Sequence, residues 1–130
     1  MTEETPTAVN RLSAVIIPVA DQDEGMRFYT DVLGFEKRSD VDFGPGRWIE
    51  VAPRGADTPI ALCPPGPGVD AGGKETGIAL EAADIRAYHA RLKKAGVDVD
   101  DEIGDFGDAV PPTFWFRDPE KNQLMVVEAG

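Results

Sequence analysis

The 130 residues suit one compact domain, long enough to bury a core without staples. A net charge of −11 disfavours nucleic-acid phosphates and anionic lipid as partners. The single cysteine, Cys63, excludes an internal disulfide and any cluster of thiolate metal ligands. Residues 1–11 are polar, so the chain is expected to open with a flexible arm. Neither a secretory signal nor a transmembrane run is expected, and the default location is cytoplasmic.

Leu12 to Val19 is β-rich and predicts a strand buried on both faces. Asp21-Gln22-Asp23-Glu24 then reads as a capping box, with the Asp21 carboxylate over the first turn and Glu24 reaching back. Met26, Tyr29 and Leu33, widened by Phe28 and Val32, make one apolar helical stripe that Gly34 ends. Strands are expected at Phe35 to Val41, Arg47 to Ala52 and Pro59 to Cys63, with Pro53-Arg54-Gly55 turning the last two into a hairpin. Pro64 to Gly73 holds three prolines and four glycines and reads as a linker.

Thr76 to Ala82 predicts another strand. Asp84 caps a second helix, in which Ile85, Tyr88 and Leu92 repeat the first helix's spacing and Gly96 supplies the stop. Val97 to Val99 begins a further strand. Asp100 to Pro112 is a long acidic loop containing Phe106, and Phe114 to Glu128 is a hairpin turned at Asp118-Pro119-Glu120-Lys121-Asn122. The order of strand, helix and three strands therefore occurs twice. The expected class is α+β, with two βαβββ modules (12–63 and 75–128, linker 64–74, within one domain 12–130). Their curved mixed sheets form a cup with the helices outside.

Pro18-Val19-Ala20-Asp21, Phe28-Tyr29-Thr30-Asp31-Val32-Leu33-Gly34-Phe35 and Phe116-Arg117-Asp118-Pro119-Glu120-Lys121-Asn122-Gln123 resemble the vicinal oxygen chelate superfamily. It holds glyoxalases, extradiol dioxygenases, and the bleomycin- and fosfomycin-resistance proteins. The likeness covers Leu12 to Glu128. It implies the paired-module fold and a homodimer, and for most members a divalent ion held by His, Glu or Gln on the first and fourth strands of each module. Here those positions fall on Ala14, Ala61, Gly77 and Met125, none of which suits a hard or borderline divalent ion. The resemblance then implies a metal-free, cofactor-free binder of the bleomycin-resistance kind, acting in sequestration or resistance. Two alternatives stand beside it. One is a glyoxalase- or dioxygenase-like enzyme with a noncanonical metal site, for which Glu50 and Glu128 are the nearest carboxylates. The other is a metal-independent lyase or isomerase using Glu50 as base.

Candidate ligand contacts follow from strand alternation. Ile49 and Val51 suit the helix side, which leaves Trp48 and Glu50 for the cup: an aromatic floor beside a carboxylate that can fix a cation or hydroxyl. Phe114 and Phe116 are read as their second-module equivalents, and Met125 as filler of the emptied ion seat. Each has a plainer role, core packing for the aromatics and Met125 and a solvated rim for Glu50. His89, the only histidine, is expected on the surface of the second helix. Cys63 is expected to be a small buried residue and not a nucleophile. The acids between Asp98 and Asp108 lack EF-hand spacing and read as a solvated loop, over which Phe106 can act as a lid.

Overall fold

The computed structural model describes residues 7–130, so the first six residues of the expected arm lie outside it. Module one comprises β1 (Val15–Pro18), α1 (Gln22–Arg27, continued by a π-turn over Phe28–Val32), β2 (Glu36–Phe43), β3 (Gly46–Ala52) and β4 (Ile60–Cys63). Module two repeats the order as β5 (Glu75–Ala82), α2 (Ile85–Lys94), β6 (Asp98–Val99), β7 (Thr113–Arg117) and β8 (Gln123–Glu128). Each module forms a four-stranded mixed sheet, in the orders β1-β4-β3-β2 and β5-β8-β7-β6. In both, the first strand runs parallel to the last, and the remaining pairs are antiparallel. Both sheets are open. Among the described residues no helix is long and apolar enough to cross a membrane.

The helices begin and end where local chemistry dictates. Asp21 and Asp84 accept the amides of Glu24 and Ala87 at 3.0 Å, satisfying donors the helices leave free. Gly34 and Gly96 follow the helix ends at φ +85 and +79, the left-handed stop that costs glycine least. The expected back-reach of Glu24 is replaced by a longer-range cap. Glu120, in the β7–β8 turn, accepts the amides of Ala20 and Asp21 at 2.8 and 2.9 Å, which ties the start of α1 to module two.

The modules meet through their helix-covered backs. Gly25 of α1 lies against Val19 and Leu62 of module one, while Phe28 packs its ring 6.3 Å from Phe116 of module two. Tyr88 of α2 donates to the Leu33 carbonyl at 3.0 Å. One continuous core results, from Ile17, Tyr29, Ile49 and Leu62 across to Phe114, Phe116 and Val126. The seam holds a polar hub. The Tyr29 hydroxyl, fully buried, donates to Asp118 at 2.9 Å. The same carboxylate accepts both amides Glu120 N and Asn122 N and the Asn122 side chain at 2.9–3.0 Å. Burial first, and then the Asp118 charge, push the Tyr29 hydroxyl well above its ordinary pKa.

Three expectations need correction. β1 is buried on one face only: Ile17 is buried, but Ile16 is 55% exposed. His89 is buried rather than superficial, because α2 turns it inward onto the Phe114 ring at 4.8 Å. Its Nε2 donates to the Asp100 carbonyl at 2.7 Å, which fixes the tautomer. The third concerns the second-module aromatics. Pairing sets Glu50 opposite Ala61 and Trp115 opposite Met125, so Trp115 occupies Glu50's level. Phe114 and Phe116 match Ile49 and Val51 and are fully buried under the helices. The expected equivalence was one residue out of register, which in a strand exchanges the faces.

Candidate functional site

Each sheet has a back sealed by helix and a front left open. On sheet one the front row runs Ile16–Ala61–Glu50–Ser39 across four strands, with Trp48 and Val41 paired beside it. Ile16, Val41 and Phe43 are more than half exposed, and Phe43 stands edge-on to Trp48 at 5.8 Å. Trp48 is half-buried, and its indole Nε1 donates to the Glu50 carboxylate at 2.8 Å. The pair thus presents an aromatic face and a negative charge held in a fixed position. Cys63, buried and on the same face, has its thiol pushed up by burial and then by the Glu50 charge. A less ionised thiol is a weaker nucleophile. We therefore expect iodoacetamide at pH 8 to modify Cys63 more slowly than a free thiol, with Glu50→Gln speeding the reaction. Mass spectrometry of timed quenches measures both rates.

On sheet two the front row is Ala79–Met125–Trp115. Met125 is half-buried at the level that Ala61 occupies in sheet one. Trp115 is hidden in the sequence, because matching 114–119 to 48–53 sets Phe114 and Phe116 opposite Trp48 and Glu50. Matching Ala61 to Met125 instead gives the correct face. Phe106 stands edge-on to Trp115 at 6.2 Å and is 53% exposed. It packs so closely on Gly104 that a β-carbon there would lie 2.6 Å from its ring, so a side chain at that position would have to displace the exposed ring. Gly104 and Thr113 exchange backbone hydrogen bonds, which fold the acidic loop back on β7.

Three of the acids between Asp98 and Asp108 are engaged with cations. Asp98 pairs with Arg117 and Lys121, Asp100 with Arg117, and Asp101 with Lys93. The Arg117 guanidinium, and then Lys121, hold the Asp98 carboxyl below its usual range.

The side chains at the four positions expected to hold the ion do not fit a divalent ion. Alanine at 14 and 61 and glycine at 77 offer no side-chain donor, and the Met125 thioether is soft. Gly77 sits at φ +70 in the irregular stretch of β5. Among the described residues of one chain, no group of three or more His, Cys, Asp or Glu side chains gathers. Glu50 and Glu128 lie on β3 and β8, strands of different sheets.

Comparison with known proteins agrees with this architecture. The family model for the glyoxalase/bleomycin resistance protein/dioxygenase superfamily matches residues 11–126. The crystal structure of TnmS3, an antibiotic binding protein from Streptomyces sp. CB03234, superposes with TM-score 0.84 at 31% identity, covering 95% of this chain and 99% of that one. A superfamily member from Sphaerobacter thermophilus DSM 20745 gives TM-score 0.84 at 34% identity, over 93% and 98% of the two chains. Bacillus subtilis (strain 168) YetH is 28% identical over 92% of this chain and 99% of its own. The chain belongs to the glyoxalase/bleomycin resistance protein/dioxygenase superfamily.

Proposed function

We propose that this protein binds a small planar molecule without the help of a divalent ion, and that it acts in sequestration or resistance. The binding cup is formed by the open face of one sheet together with a wall supplied by a second copy. The observation that carries this reading is the pair of uncovered aromatic faces, Trp48 with Phe43 on one sheet and Trp115 with Phe106 on the other. Monomeric proteins rarely leave contiguous apolar surface of this kind in water. Within one chain both faces lie on the outer sides of the shared core, so neither closes over the other. Trp48 supplies stacking area, Glu50 selects a cationic or hydroxyl-bearing ligand, and Met125 adapts to its outline. The likeness to an antibiotic-binding protein supports the same reading.

The test is a thermal-shift screen of planar aromatic compounds, with and without a basic nitrogen, run in EDTA. Stabilisation by aromatic cations is the expected result. A preference for anionic or purely aliphatic compounds contradicts it. Sedimentation gives an independent reading: twice the 14.0 kDa chain mass is expected, and a monomer at micromolar concentration contradicts the two-copy cup.

A further inference from the structure

We propose a second ligand site, separate from the open sheet faces, that takes a small carboxylate with an apolar body. A cleft of about 420 Å³ opens at the seam of the two modules, between the end of α1, the β3–β4 turn, the end of β5 and the first turns of α2. That volume lies within the ordinary range for small-molecule pockets. Its floor is apolar, formed by Leu33, Phe35, Leu80, Ala82 and Val126. Its charged groups are unevenly committed, and that imbalance defines the ligand.

Arg54 and Arg91 both line the cleft. In a chain with 24 acidic residues against 13 lysines and arginines, neither has an acidic partner among the described residues. Arg38, Arg47 and Arg117 are each paired with a carboxylate, whereas Arg11, Arg27 and Arg86, outside the cleft, have no ion pair among the described residues either. Packing holds Arg91 instead. Its guanidinium lies 5.9 Å from the centre of the Tyr88 ring, and its terminal nitrogens lie 3.1 and 3.4 Å from where a Gly34 β-carbon would stand. Neither acid of the cleft, Asp84 or Glu81, forms an ion pair with it among the described residues. Asp84 is engaged in capping α2 through the Ala87 amide. Glu81 lines the cleft from β5, between Leu80 and Ala82, and pairs with neither arginine among the described residues. A cation resting over an aromatic ring without an ion pair of its own is disposed to receive a carboxylate, and the guanidinium fork suits one in particular. The apolar floor then takes the rest of the molecule.

The test titrates the full chain with 3-phenylpropionate and with its neutral amide by calorimetry. Saturable binding of the acid, with the amide at least about tenfold weaker, is expected. Arg91→Gln and Arg54→Gln are each expected to weaken the acid by about tenfold or more while leaving thermal melting unchanged, since both side chains are exposed. Trp48→Ala is expected to leave acid binding as it is, because that ring lies on the front of sheet one. Equal binding of acid and amide, no saturable binding of the acid, or an unchanged affinity in both arginine variants overturns the proposal. Loss of acid binding in Trp48→Ala also overturns it and assigns the carboxylate to the open face.

Discussion

Asp118→Ala is expected to cost about 4 kcal/mol of stability and to lower Tm by roughly 12 °C. The carboxylate is 3% exposed and accepts four hydrogen bonds, from Tyr29, Glu120, Asn122 and the Asn122 side chain. Hydrogen bonds to a charged group contribute more than neutral ones, and removing a shared acceptor strands every donor at once. The Tyr29 hydroxyl suffers most, since it is fully buried and belongs to the other module. Losing the turn also releases Glu120 from the start of α1. Tyr29→Phe removes only one of these bonds, and a loss of about 1–2 kcal/mol is expected. Urea unfolding of the two variants measures both quantities. A loss below about 1 kcal/mol for Asp118→Ala would mean that the hub does not hold the modules together.

Trp48→Ala is expected to weaken ligand binding by about thirty- to a hundredfold, equivalent to about 2–2.7 kcal/mol, while costing only about 1 kcal/mol of stability. The split follows from its position. A half-buried ring on an open face has little core to lose, but it offers the broadest stacking surface beside Glu50. Its removal also frees the Glu50 carboxylate from its indole donor. Titration of the best compound from the screen gives the affinity, and thermal melting gives the stability. The reverse split, about 3 kcal/mol of stability lost with affinity unchanged, would assign Trp48 to core packing instead.

The parts of the fold legible in the sequence were those written in local chemistry. Helix starts at Asp21 and Asp84 and stops at Gly34 and Gly96 follow from which side chains satisfy free amides and which residue tolerates positive φ. The repeated strand order follows from two matching stretches of such signals. Long-range partners were not legible. Glu120 caps a helix a hundred residues away in sequence, and nothing near Asp21 points to it. His89 has a polar, half-charged composition around it, yet α2 turns it onto Phe114. The open face of the candidate site was legible up to its register. Trp48 and Glu50 sit on the open face of β3, whereas the one-residue slip in β7 put Phe114 and Phe116 where Trp115 stands. Period two gives faces without saying which is which, and a slip of one is invisible until a neighbouring strand fixes it.

The most direct test of a cup without an ion is a titration of the best ligand into protein stripped with EDTA, repeated after incubation with nickel, zinc, manganese and iron and removal of excess metal. Equal affinity in every case, with no stoichiometric metal retained, is the predicted result. Binding that depends on one of these ions, with one ion retained per cup and turnover of a hemithioacetal or a catechol, would contradict it.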